Sequence, residues 1–424
     1  MSLHSLKKYT YYKAVLILGL ILAVLWVTFV NTKPFSDFLY YYNVALNVYN
    51  GLTWGNTYTA VGYSIVLGFL FKIFGTNFLV AKIFNIVLYV ISNVLFLELL
   101  DKTKFKNTDK KIMFTLFVFF PNNICYTSIV GTELLFTTIT LLVTVIYFSR
   151  LKYKYAVLGI LVGLNTMIKP FFIIFFLLIF IVELLSIKKL LVPLRNSIIV
   201  LIFCCIAIAP WVYRNTKMMG QFTFVSNNGG IVLYINNNSQ NNLGRWMAAS
   251  DVENSIVKTD EYKNANMTEQ NKMLSNAAKK WIVSHPKEFI SLGITRLENT
   301  YFKGDDISYT YNEAGLSESF KTLLYNLTDK VRKIIFKPAI LCLAVYSVII
   351  LKSIFNMKTN ELNVFNLYTT ILFYMFTSVY FITEGQGRYA FPLIFIFVYY
   401  FYCLIYYLLN KVKDLYKLRM EDNK

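Results

Sequence analysis

Histidine is almost missing from this chain of 424 residues, which has only His4 and His285, so a zinc centre of the usual histidine-rich kind finds no support. Cysteine is scarce as well. Cys125, Cys204, Cys205, Cys342 and Cys403 all lie inside apolar runs with no CxxC spacing, as small core hydrophobes, which leaves neither a disulfide framework nor a thiolate metal site. Charge is thin, at 15% of residues, and lopsided: 23 acids face 42 lysines and arginines, for a net charge of +19. What fills the chain instead is apolar, 56% of all residues with 17% aromatic. These residues gather in runs of about 17–23, a length that spans a bilayer. That composition excludes a soluble protein of this size and describes a polytopic membrane protein, all-α and surrounded by membrane lipids. It also removes nucleic acid as a partner, because the bases stand in short clusters between apolar runs, where they act as topology signals.

Ten apolar runs are candidate spans: 14–30, 78–100, 112–130, 132–149, 155–168, 171–187, 196–213, 334–351, 363–383 and 389–410. The first lacks a small-residue cleavage site and reads as a signal anchor. Basic clusters set the orientation. Lys7, Lys8 and Lys13 precede the first run, "DKTKFKNTDKK" and "SRLKYK" follow at 101–111 and 149–154, and Lys411, Lys413, Lys417 and Arg419 close the chain. All are expected on the cytoplasmic side of the cell membrane, together with both termini. The parity works if "GYSIVLGFLFKIFG" at 62–75 does not cross. As a helix it is about 21 Å long, short for a span, and is expected to lie along the outer interface. The stretch 155–187 is expected to cross twice, broken at Lys169-Pro170. The chain then divides into an N-terminal membrane module at 1–213 with its first outer loop at 31–77, an outer soluble loop at 214–333, and C-terminal helices with a basic tail at 334–424. Within the outer loop two helices are expected, the second opened by Pro286.

The outward-facing polar residues carry the chemistry. "PFSDFLYYYNVALNVYNG" at 34–51 sets a lone acid, Asp37, at the mouth of the first span. At the same expected level stand Lys82, Lys169, Arg214 in "APWVYRN" and Arg388 in "EGQGRYAFP". Each cation alone reads as an interfacial anchor. Together they supply what transfer from a lipid phosphate needs: a base for the acceptor's proton, and fixed positive charge where the leaving phosphate gathers charge.

The succession "SDFLYYYNVALNVYNG", "GYSIVLGFLFKIFG" before "AKIFN", "GTELLF", "GILVGLNTMIKP", "PWVYRN", "HPKEF" and "GRY..P" resembles the GT-C superfamily of membrane glycosyltransferases, over most of residues 1–395. Within it the likeness is to the branch of protein O-mannosyltransferases and the lipid A aminoarabinose transferase. The resemblance implies a GT-C fold of about ten transmembrane helices, with interfacial helices in the first outer loop and one larger outer loop domain. It implies that Asp37 is the catalytic base; Phe38 follows it where many relatives carry a second acid. Glu133 matches the acid opening the fourth span and stays open between orienting the acceptor, holding a metal and compensating a helix dipole. Lys169, Arg214 and Arg388, with Lys82, fall where relatives bind the donor phosphate. Tyr41, Tyr63, Tyr213, Asn215 and Tyr389, within the matching motifs, are expected to line the substrate pocket.

The implied reaction moves one sugar from a polyprenyl monophosphate donor to a glycan, teichoic acid, glycolipid or protein on the outer face. Asn-, Lys-, Tyr- and Ile-rich usage suggests a bacterial carrier, undecaprenyl phosphate. Asp37, Glu133, Asp305 and Asp306 are the carboxylates that would hold Mg²⁺ or Mn²⁺, but no cofactor is expected to be required. Two other classes stay in view. A surface-polysaccharide polymerase or ligase would place essential Arg and His residues in the outer loop. A lipid-linked sugar flippase would bury charges deep in its spans and show related halves.

Overall fold

The computed structural model describes residues 3–303 and 306–421, with side chains over 10–303 and 307–414. Asp305 and the side chains of His4 and Asp306 lie outside the described residues. Helices follow in the order α1 (Leu3–Phe29), α2 (Ser36–Tyr49), α3 (Gly62–Phe74), α4 (Phe78–Asp101), α5 (Asn107–Val118), α6 (Pro121–Cys125), α7 (Glu133–Tyr147), α8 (Lys154–Thr166), α9 (Phe175–Ile187) and α10 (Leu191–Met219). The segment after α10 adds α11 (Gly229–Asn236), α12 (Asp260–Asn264), α13 (Met267–Ser284) and α14 (Pro286–Tyr301), before α15 (Glu318–Phe355), α16 (Val364–Ile382) and α17 (Ile394–Glu421). No strand occurs among the described residues.

Among the described residues seven stretches are long and apolar enough to cross a membrane, and α3, α7 and α8 are shorter apolar helices. The protein is thus an all-helical, multi-pass membrane protein. One apolar run differs from a simple span. Over 112–130, α5 stops at Val118, and Pro121 restarts the chain as α6 before a 3₁₀ turn at Tyr126–Ser128. Pro121 has no amide proton for a continuing ladder, and the buried Asn122 and Asn123 need polar partners that a lipid-facing helix does not offer. Helices also run across both expected segment boundaries. α10 continues to Met219, where Gly220 takes the left-handed conformation (φ +67°), and α15 begins at Glu318 behind its Ser317 cap.

Close packing positions the site. Gly159 and Gly163, four apart on α8, let it lie directly on α10: a Cβ at Gly163 would fall 2.6 Å from Ala207 Cβ, and one at Gly159 2.5 Å from Phe203 Cβ. α2 lies on α3 between α1 and α4, and α11 lies on α13 around Tyr234, Ile235, Leu274 and Ala278. Helix interruptions at 167–174 and 383–393 line one cavity, and Glu133, at the start of α7 just past a third interruption at 126–132, lines it too. Irregular backbone at membrane depth is stable only where protein or an aqueous cavity satisfies it.

Candidate active site

Each interruption delivers one or two charged groups. At the first, Glu133 opens α7 and is 6% exposed. Its place depends on Gly131, where a Cβ would meet Glu133 Oε2 at 2.6 Å and the Phe38 ring at 3.0 Å. At the second, Pro170 forces the residue before it out of the helical region, and Lys169 is extended (φ −131°, ψ 103°) with its ammonium over the Tyr389 ring at 5.9 Å. At the third, α16 ends at Ile382 and the chain passes through Glu384 into the 3₁₀ turn Gly387–Leu393, which presents Arg388. Glu384, 6% exposed, accepts hydrogen bonds from Tyr389 Oη at 2.8 Å and Gln386 Nε2 at 2.6 Å.

Asp37 comes from elsewhere, the first turn of α2. Arg388 Nη2 donates to Asp37 Oδ2 at 3.2 Å, and the pair is uneven: the arginine side chain is 13% exposed and the carboxylate 55%. Phe38, Tyr309 and Tyr389 surround the guanidinium at 5.6, 5.3 and 5.7 Å, fixing its plane through cation–π contact. Lys169 is within electrostatic reach of Glu133, Arg388, Asp37 and Glu384. Burial pushes the Tyr41 hydroxyl well above its ordinary value, and Asp37 adds to the shift. Glu133 Oε2, Tyr63 Oη and Arg388 Nε are buried with no hydrogen-bond partner in the protein. An unpaired buried polar atom costs about 1–3 kcal/mol, so the two on Glu133 and Arg388, which line one cavity, mark a place for a polar ligand.

The cavity holds about 490 Å³. It is lined by Glu133, Lys169, Glu384, Arg388 and Tyr389, by Ser226, Asn228 and Asn271 from the segment between α10 and α15, and by an apolar flank of Phe136, Phe171 and Val379. Asp37 does not line this cavity, whereas Arg388, which it binds, does. Among the described residues no three histidine, cysteine, aspartate or glutamate side chains cluster as donors for one ion.

The other expected site residues lie apart. Arg214 lines a second cavity that shares no residue with the first. Asn215 is fully buried and donates to the Phe224 and Val225 carbonyls at 2.8 and 3.1 Å, tying α10 to the segment that follows it. Tyr213 is 69% exposed and lines neither cavity. Lys82 is buried on α4, donates to Asn31 Oδ1 at 3.1 Å and also lines neither.

Three residues at the site escaped the sequence reading. Glu384 stands in the "EGQGRY" stretch that drew attention to Arg388. Arg296 and Arg332, both fully buried, hold that stretch from its two ends. Arg296 donates to the carbonyls of Phe381 at 2.7 Å and Ile382, and also to that of Asn236, so one cation sits at the C-termini of α16 and α11, where helix dipoles favour it. Arg332 donates to the carbonyls of Thr300 and, at 3.2 Å, Gly387. Burial pulls the Arg296 guanidinium down to about 10, against the opposing pull of Glu384. Gly244 and Gly385 leave the room: a Cβ on either would strike Arg296 within 3.0 Å.

No protein-family model matches the chain, and no curated protein sequence matches it significantly. Among solved structures it is similar to the archaeal oligosaccharyltransferase AglB from Archaeoglobus fulgidus, in complex with an inhibitory peptide and a dolichol-phosphate. The TM-score is 0.52 at 11% identity, over 98% of this chain and 52% of that one. AglB is a GT-C glycosyltransferase. The chain has the GT-C fold. A second structure of the Archaeoglobus fulgidus enzyme, tethered to an acceptor peptide by a disulfide bond, has a TM-score of 0.48 at 11% identity, over 95% of this chain and 50% of that one. The chain spans about half the length of the solved proteins it resembles.

Proposed function

We propose that the protein is an inverting glycosyltransferase that moves a single sugar from a polyprenyl monophosphate, undecaprenyl phosphate in a bacterial setting, to an acceptor on the outer face of the membrane. The observation that carries the reading is the Arg388–Asp37 pair at the edge of a cavity that also contains Lys169. The fold adds support by analogy only, since one architecture hosts many activities. In this reading the donor phosphate meets Arg388 and Lys169, its chain leaves along the apolar flank, and the sugar hydroxyls donate to Glu133 and Glu384. Asp37 takes the proton from the acceptor hydroxyl as that oxygen attacks the anomeric carbon. The bond from that carbon to the phosphate oxygen breaks, and the electron pair leaves with the phosphate. One displacement inverts the anomeric centre.

Arg388 links the two halves of the step. Before transfer its anionic partner is Asp37. As Asp37 gains the proton it loses its charge, while the departing phosphate gains one, so the guanidinium exchanges partners with no change in the net charge around it. No step runs through a metal. A polymerase would call on His285, but that ring stacks on Trp281 at 5.1 Å where α13 meets α14, and it lines neither cavity. The test is to offer the purified protein, in liposomes, a panel of polyprenyl-phosphate sugars with and without a chelator. One sugar should be consumed, at the same rate in EDTA. A panel left unconsumed but carried across the bilayer would replace the transferase by a flippase.

A further inference from the structure

The second cavity, about 660 Å³, opens between α3, α7, α8 and α10 and is lined by apolar side chains such as Ile65, Ile139, Leu164 and Pro210. Lipid tails are as apolar as leucine, so this lining alone selects nothing in a membrane. Arg214 does the selecting. It is stacked on Trp211 at 4.3 Å, is held by the Gly55 carbonyl and Asn215 Oδ1, and has no carboxylate within ion-pair distance among the described residues. Beyond it lies a third cavity of about 330 Å³ that shares Thr53 and Met218 with the second and is walled by Tyr40, Asn43, Asn47 and Asn56. Gly55, whose carbonyl Arg214 binds, lines this third cavity. An apolar trough, an unpaired cation and a pocket of amides and a phenol therefore follow one another in space.

The polar pocket shares a face of α2 with Asp37. Tyr40, Asn43, Val44 and Asn47 form a single stripe of α2, at the spacings that put helix residues on one face, and Asp37 continues it three residues before Tyr40. Asn43 is about 9 Å along the helix from Asp37, within the reach of a sugar-sized headgroup.

We propose that the acceptor in this transfer is itself a lipid, with a phosphate beside a polyol or sugar headgroup. Its tails occupy the groove beside Ile139, its phosphate meets Arg214, and its headgroup hydroxyls bond Asn43, Asn47 and Asn56 and point along α2 to Asp37. The acceptor role rests on the transferase reading above; the lipid site does not.

The full chain in phosphatidylcholine nanodiscs, doped with phosphatidylglycerol bearing a diazirine in one tail, tests both parts. Cross-links should concentrate on Ile65, Ile139 and Leu164, exceed those from a diacylglycerol with the same tail, and fall about tenfold in Arg214→Gln while surviving in Arg214→Lys. Ile139→Trp, which fills the trough without touching the arginine, should remove them as well. Equal labelling by both probes, or labelling indifferent to Arg214→Gln, overturns the site. Sugar transfer to soluble acceptors in preference to lipid ones overturns the acceptor role. Labelling that follows Arg214 with no sugar transferred to any acceptor overturns the transferase reading and leaves an anionic-lipid site.

Discussion

Arg388 is the residue on which the proposed chemistry turns, because it touches Asp37 and the donor cavity together. Arg388→Gln should weaken donor binding by the worth of a charge-assisted contact, about 1.5–3 kcal/mol. It should slow turnover further, since the leaving phosphate loses its counter-charge. Donor titration and single-turnover rates separate the two effects, and unchanged values for both would reduce Arg388 to an interfacial anchor. Charges beside apolar runs are rare enough to be noticed in the sequence, which is why Asp37, Lys169 and Arg388 were legible there. Glu384 was not, because a single acid in a short polar stretch looks like any solvated turn. Arg296 and Arg332 were hidden by their surroundings: in a hydrophilic stretch an arginine looks exposed, and only the carbonyls of Phe381, Thr300 and Gly387 reveal a buried strut.

Helix interruptions, rather than helices, build the site, and their positions depend on how closely the neighbouring helices pack. α8 carries Lys169 just past its C-terminus, and Gly163 is what lets α8 approach α10. Gly163→Leu should force the two apart, at an overpacking cost of about 1–3 kcal/mol, and move Lys169 away from Tyr389. The expected readouts are a lower thermal midpoint and weaker donor binding, both partly restored by Ala207→Gly; a variant with wild-type stability and binding would show that the close approach is dispensable. The break at Lys169-Pro170 and the helix opened by Pro286 were readable because proline announces its own position. The break inside 112–130 was concealed by hydropathy: Val and Ile on both sides of Pro121, with Phe before it, sum to a span whether or not the backbone continues through it. The spacing of Gly159 and Gly163 was visible in "GILVG", but its partner α10 is a tertiary fact.

At the scale of the whole molecule, composition settles a multi-pass helical protein, and the fold adds how a cavity comes to lie between the spans and the α11–α14 segment. The face on which that segment stands follows from the positive-inside expectation. In a cysteine-free background, Asp260→Cys, on an almost fully exposed side chain, should react with an impermeant maleimide from outside intact cells, whereas Asn107→Cys, in the α4–α5 turn region, should react only after permeabilisation. Equal labelling of both would reverse or dissolve this topology.

The division of labour between donor cavity, Arg388 and acceptor face reduces to whether Asp37 removes a proton. Asp37→Asn keeps the shape of a half-exposed side chain and leaves Lys169, Glu133 and the cavity untouched, so fold and donor binding should persist. Transfer should fall by about 10²–10⁴, the contribution of a positioned general base. Glu133→Gln, measured beside it, should fall less, as a loss of sugar contacts rather than of the proton acceptor. The decisive measurement is single-turnover sugar transfer by Asp37→Asn in liposomes loaded with the consumed donor: a loss of that size with donor binding intact is what the proposed mechanism requires, and full transfer would contradict it.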